Sequence, residues 1–211
     1  NAKGINATLD HLGEHTSTAE EANNAADEIL SILNDIDKAG VRGNVSIKLT
    51  QIGMSLDEDI CSQNLVRILD LVKKNKNFLR IDMEDTPYTD ITISLYHSLI
   101  DRGFDTNQVG LVIQSYLFRS EEDVRKLLEE GTRIRLVKGA YNEPPEKAFP
   151  KKADTDANYD LLTKIMIDAA LTQETNKLSA DGRIPPTVAV ASHDDKRIAF
   201  AKQYAEKVSL P

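Results

Sequence analysis

Cysteine is almost missing from this sequence. Cys61 stands alone, so no disulfide can form within the chain, and the usage fits a reducing compartment. No apolar run approaches the roughly 18 residues that a membrane-spanning helix needs. The first residues lack the basic segment and apolar core of a secretory signal. The chain therefore reads as cytoplasmic, or as a processed or trimmed piece. Basic residues are in deficit: 26 Lys and Arg face 34 Asp and Glu, for a net charge of -8. That balance argues against nucleic acid as a partner, because phosphate backbones are met by basic faces. It leaves room for a phosphate-bearing small molecule held by a few local cations. There is also no low-complexity linker and no tandem repeat.

What is present is an ordinary globular composition, 40% hydrophobic and 28% charged over 211 residues, enough for one sizeable core. Short β-branched runs alternate with apolar residues at helical spacing. The expected strands are Ile5–Leu9, Val45–Leu49, Phe78–Glu84, Val109–Tyr116, the stretch from Ile134 through Tyr141, and Thr187–Asp194. The first expected helix opens on the capping-box pattern Thr18-Ala19-Glu20-Glu21, carries Ile29, Leu33 and Ile36, and stops at Gly40. The next two centre on Leu65–Val72 and Ile91–Ile100. Ser120 is expected to cap the fourth, which carries Val124, Leu127 and Leu128. A polar loop from Asn142 to about Asp156 precedes the fifth, over Leu161–Ala169, and the sixth carries Ile198, Phe200 and Tyr204.

Six strand–helix units suggest an α/β fold, either a (β/α)8 TIM-type barrel or an open doubly wound sheet. The first turn after a strand, Asp10-His11-Leu12-Gly13-Glu14, lacks the Gly-x-Gly-x-x-Gly loop of a dinucleotide-binding fold. Polar residues stand at the C-terminal ends of all six strands, where barrel active sites collect. The barrel is the favoured reading: one catalytic domain over residues 1–211 with about six βα units. It is then incomplete at its C-terminal end, where Ser209-Leu210-Pro211 directly follows a helical pattern.

The polar strand ends are Asp10 and Glu14, Lys48, Asp82 and Glu84, Gln114, Arg135 and Lys138, and Ser192 and His193. The fifth is the most distinctive. In Arg135-Leu136-Val137-Lys138-Gly139-Ala140-Tyr141, alternation sends Arg135 and Val137 one way and Leu136 and Lys138 the other. A charge inside such a run must meet water, a counter-charge or a ligand. Gly139, without a Cβ, admits a flat ligand close to the backbone. Two metal readings compete. His11-Leu12-Gly13-Glu14-His15 matches the spacing of an inverted zinc-peptidase motif, but follows a strand and contains a glycine where a helix is required. Asp82 and Glu84, sharing a strand face, together with His193-Asp194-Asp195 could hold a divalent ion, as in a metal-dependent barrel aldolase or hydrolase.

Taken in order, Val45-Ser46-Ile47-Lys48-Leu49, Arg80-Ile81-Asp82-Met83-Glu84, Val112-Ile113-Gln114-Ser115-Tyr116, Arg135 through Tyr141, and Ala191-Ser192-His193-Asp194 resemble the proline dehydrogenase family, in its monofunctional bacterial form. The resemblance covers essentially the whole chain. It implies an FAD-dependent (β/α)8 barrel that oxidises L-proline to Δ1-pyrroline-5-carboxylate by hydride transfer, the first step of proline catabolism. It implies Asp82 and Arg135 as active-site members, with Arg135 close to the flavin N5. Lys48, Tyr141 and Asp10 would lie beside the substrate, and Glu14 would belong to a gate. Met83, Gln114, Arg135, Lys138, Gly139, Ala140, Ser192 and His193 would contact the cofactor, and Lys151 and Lys152 match more loosely the basic residues near its phosphates. No resident metal is implied. The partners implied are L-proline, a quinone electron acceptor met by peripheral contact at the inner face of the membrane, and a functional link to pyrroline-5-carboxylate dehydrogenase. The family's last strand and helix carry an arginine pair for the substrate carboxylate, and this sequence does not contain them. A truncated, non-catalytic flavin-binding scaffold is thus a second alternative beside the metal-dependent barrel.

Overall fold

The computed structural model describes residues 5–173 and 177–210; Pro211, part of the C-terminal expectation above, lies outside them. Strand and helix alternate as the sequence predicts. The order is β1 (Ala7–Asp10), α1 (Ala19–Ala39), β2 (Gly43–Ile47), α2 (Glu58–Lys74), β3 (Leu79–Ile81), α3 (Thr86–Asp101) and β4 (Val109–Gln114). Then come α4 (Ser120–Glu129), β5 (Ile134–Val137), α5 (Lys152–Thr172), β6 (Val188–Val190) and α6 (Asp195–Lys207). A short 3-10 turn, Thr50–Ile52, follows β2. The chain divides into two compact units. One holds Asn1–Asp82, Thr89–Gly110 and Leu178–Ile184; the other holds Met83–Tyr88, Leu111–Lys177 and Pro185–Pro211.

In the first unit β1, β2 and β3 are successive parallel neighbours. Val45 and Ile47 of β2 and Leu79 and Ile81 of β3 are wholly buried, as strands covered by helices must be. The helices bring Ile29 and Leu33 from α1 and Leu65, Ile68 and Leu69 from α2 to the same core. α1 starts where Thr18 accepts a hydrogen bond from the Glu21 N–H (3.2 Å) and ends where Gly40 turns left-handed at φ 60°. The Glu21 carboxylate reaches back to the Ser17 N–H (2.7 Å), one residue short of the expected capping box. Residues 178–184 fasten the N-terminal ends of the strands: Arg183 donates to Asp37 (2.8 Å) and to the Asn75 carbonyl (3.1 Å), and its own carbonyl accepts from Asn44 (3.0 Å).

In the second unit β5 pairs in parallel with β4 on one side and β6 on the other, Gln114 opposite Val137 and Leu136 opposite Val190. Ile134 and Leu136 are buried and Arg135 and Val137 half-buried, so the alternation read from the sequence holds. Val124 and Leu127 of α4 and Tyr159, Leu162 and Met166 of α5 complete the core. Burial pushes the Tyr159 phenol up to about 12, so it is neutral throughout the physiological range. β6 is only half-buried, and Ile167, Val188, Val190, Ile198 and Ala201 line a 370 Å³ groove.

Three local expectations are corrected. The later strands are shorter than expected, and β2 keeps its length but lies two residues earlier, over Gly43–Ile47; β3 stops at Ile81, so Asp82 and Glu84 are not same-face residues of a strand. Ser120 opens α4 but does not cap it; its hydroxyl donates backward to the Leu117 carbonyl (2.7 Å). The polar loop ends at Lys151, because α5 begins at Lys152 with a polar first turn that carries no apolar periodicity. Among the described residues no helix is long and apolar enough to cross a membrane.

The packing of the first unit can be tested at Ile29. Ile29→Ala should cost about 2–5 kcal/mol, the transfer and cavity terms together, read as a lowered denaturation midpoint with an unchanged slope.

Candidate active site

The first unit presents a lysine among carboxylates. Lys48 stands just beyond β2, with its side chain 19% exposed. Its ammonium lies 3.4 Å from Glu14, in the loop after β1, and 3.9 Å from Asp10, the last residue of β1. Asp82 follows β3 directly. Its N–H donates to the Ile47 carbonyl (2.8 Å), and its carboxylate accepts from the buried Ser46 hydroxyl (3.2 Å). Sequence reasoning assigned Ser46 no role, although in the parallel register it faces Asp10 on one side and Arg80 on the other.

The loop from Asp10 to Thr18 is not helical, which removes the geometry that a zinc-peptidase motif requires. Its histidines serve as anchors. His11 pairs with Glu28 through Nε2, while Gln51 Nε2 lies 2.7 Å from its Nδ1. His15 Nδ1 lies 3.2 Å from the Ser55 hydroxyl. The Thr16 N–H and hydroxyl both donate to the Thr50 carbonyl (3.3 and 3.1 Å). The segment bearing Glu14 is thereby laid on the 3-10 turn. Among the described residues no three His, Cys, Asp or Glu side chains are grouped so as to hold a metal ion.

The second unit gathers the residues around β5. Met83 and Gln114 are buried, and Gln114 Nε2 donates to the Glu84 carbonyl (2.9 Å). Arg135 is half-buried on β5, Ala140 and His193 are exposed, and Tyr141 is half-buried. The Ser192 hydroxyl accepts from the Asp194 N–H (3.0 Å). Gly139 has φ 122°, a backbone region nearly closed to other residues. Tyr116 lies against it so closely that an added Cβ would sit 2.4 Å from the ring. Burial, and next the Glu143 carboxylate, push the Tyr116 phenol far above its ordinary value. It stays neutral and packs as a wall.

Lys138, on a strand end where a charge must meet water, a counter-charge or a ligand, meets counter-charges. Its ammonium sits 2.5 Å from Asp156 and 2.6 Å from Asp194. These partners stand 18 and 56 residues away in sequence. Lys152 joins the same carboxylates at 2.5 and 3.4 Å, whereas Lys151 is an exposed residue at the start of α5. The Lys138 hydrogen bond holds the Asp194 carboxyl well below the usual carboxylate range. Burial would raise Asp156, but hydrogen bonds from Lys138 and Lys152 outweigh it and leave the carboxyl lowered. Burial pushes Asp160 up, offset in part by Arg197 at 3.0 Å.

The whole chain, residues 1–211, matches the family model described as proline dehydrogenase. The chain belongs to the proline dehydrogenase family. It is 36% identical over 211 residues to proline dehydrogenase 1 of Bacillus subtilis (strain 168), covering 100% of this chain and 64% of that one. It is 36% identical over 205 residues to the proline dehydrogenase of Deinococcus radiodurans, covering 95% and 65%. The chain thus spans 64% of the length of the first of these curated relatives. Among solved structures it is similar to proline utilization A from Bdellovibrio bacteriovorus inactivated by N-propargylglycine, with a TM-score of 0.84 and 25% identity over 100% of this chain and 25% of that one. The fold is accordingly that of a TIM-type (β/α)8 barrel, of which this chain carries six βα units.

Two outcomes are expected. Gly139→Ala should destabilise by about 1–3 kcal/mol from backbone strain, and by more from the clash with Tyr116; adding Tyr116→Ala should recover the clash but not the strain, as chemical denaturation will read. The Asp194 carboxyl is lowered on folding, so its contribution is present above the unfolded value of about 3.9 and is lost as pH falls through the lower folded value. Asp194→Asn should therefore give a flatter loss of stability below about pH 4.

Proposed function

We propose that this chain carries the flavin and substrate residues of an L-proline dehydrogenase, which oxidises L-proline to Δ1-pyrroline-5-carboxylate with FAD as its cofactor. The observation that carries the reading is the end of β5, Arg135 through Tyr141, in a chain matched over its whole length by the family. The donor set there suits a flat, anionic group. Among the described residues the Gly139 and Ala140 N–H groups donate to no protein atom, and Gly139 presents no Cβ. Met83, Gln114, Arg135, Lys138, Gly139, Ala140, Ser192 and His193 would hold the cofactor.

Bound FAD would supply the two-electron acceptor for the hydride leaving the ring carbon next to nitrogen, while the nitrogen loses a proton. The Arg135 guanidinium would offset the negative charge that accompanies reduction, a preorganised electrostatic role. Lys48 would pair with the substrate carboxylate, with Asp10 and Glu14 holding the ammonium until substrate arrives. Asp82, oriented by Ser46, would fix the electrostatics beside Lys48, and Tyr141 would pack against the proline ring. Glu14 would act at the entrance. Electrons would pass on to a quinone at the inner face of the membrane from a cytoplasmic enzyme, and the product would feed a pyrroline-5-carboxylate dehydrogenase.

Adding proline anaerobically to the full-length, FAD-loaded protein should bleach the oxidised flavin band; colour that persists counts against the reading. Arg135→Met should slow that bleaching on the order of 10²-fold, with a smaller loss of FAD affinity. Lys48→Met should raise the half-saturating proline concentration by roughly 10–100-fold, the loss of one charged hydrogen bond.

A further inference from the structure

Lys138 is pinned at both ends. Its carbonyl accepts from the Tyr116 N–H (2.9 Å) and from the Ser115 hydroxyl (3.4 Å), just beyond β4. Its ammonium is held by Asp156 on α5 and by Asp194 at the start of α6. The next residue, Gly139, turns the chain at φ 122° against Tyr116, and among the described residues no protein acceptor is found for the N–H groups of Gly139 and Ala140.

Cations and carboxylates are interleaved around it, and Lys164 also acts on Asp160. Lys138, Lys152 and Arg197 face Asp156, Asp160 and Asp194, with Arg197 3.7 Å from Asp156 and 3.0 Å from Asp160. Lys138, Asp156 and Asp194 have side chains 22%, 17% and 22% exposed, so solvent screens them only in part. A cation between two carboxylates has little surplus charge to offer a phosphate. The geometry points to Asp156 and Asp194 as positioning residues: they hold the Lys138 ammonium, and through it they set the Gly139–Ala140 backbone that receives the cofactor. Lys138 then serves the site through its main chain. Its functional consequence rests on the flavin reading above.

The test uses Asp156→Asn, Asp194→Asn and Lys138→Met in the full-length protein. Asparagine caps a helix as well as aspartate, so α6 keeps its start in Asp194→Asn. In the apoprotein, hydrogen exchange at the Tyr116 amide should rise about tenfold in both Asn variants, as for other partners that orient a binding group from outside, while the Leu111 amide, bonded to the Arg133 carbonyl, stays unchanged. FAD affinity, read from flavin fluorescence, should fall on the order of 10-fold in all three variants. The sign decides between the two roles of Lys138. If the ammonium itself gripped phosphate, removing a competing carboxylate would tighten FAD binding, and that result overturns the inference. Unchanged Tyr116 exchange in the Asn variants also overturns it. The exchange readout involves no flavin, so an unmodified protein that ignores FAD would defeat the functional reading while the clamp is still judged.

Discussion

A charged side chain cannot lie unpartnered inside a buried parallel ladder, and this constraint shapes both units. β2, β3 and β4 are buried along their full length, with Arg80 of β3 set over the Phe78 ring, and a charged or long polar side chain stands at or just past the end of each. Lys48, Asp82 and Lys138 are the first residues after β2, β3 and β5, and Gln114 is the last of β4. The same desolvation cost that ends the strands delivers their polar ends to the C-terminal side. The core and the candidate site are thus two results of one rule.

The two units use that rule differently. In the first, one lysine faces two carboxylates that stand on the same loop and strand, a local arrangement with a part-exposed cation. Such a cation can change partners when a carboxylate-bearing ligand arrives. In the second, the lysine is locked between two helices by ion pairs, and under the proposal above the adjacent backbone would do the binding. The first arrangement suits exchange, the second rigidity.

Much of this was legible in the sequence. Element order followed from alternating periodicity, and the α1 boundaries from Thr18 and Gly40. The motif order at the polar strand ends identified the family that the whole chain matches. What escaped was what depends on distance in sequence or on a missing signal. The partners of Lys138 are far along the chain. The start of α5, Lys152-Ala153-Asp154-Thr155-Asp156, has no apolar stripe, so it read as loop although its Asp156 is a central member of the network. Ser46 looked like one more strand residue, because only the pairing of β2 with β3 brings it to Asp82. Strand ends were overextended because apolar character continues past the last ladder bond.

The network of charges around Lys138 also constrains how this region can vary. Cations and carboxylates that share partners are cheap to keep and awkward to change singly, since any one replacement strands its neighbours in a partly dry setting. Side chains that share partners couple non-additively. Substitutions at 138, 156 and 194 should therefore be epistatic, tolerated as a coordinated exchange of sign or as joint removal, and costly in isolation. The β5–α5–α6 corner would drift in sequence as a block rather than residue by residue.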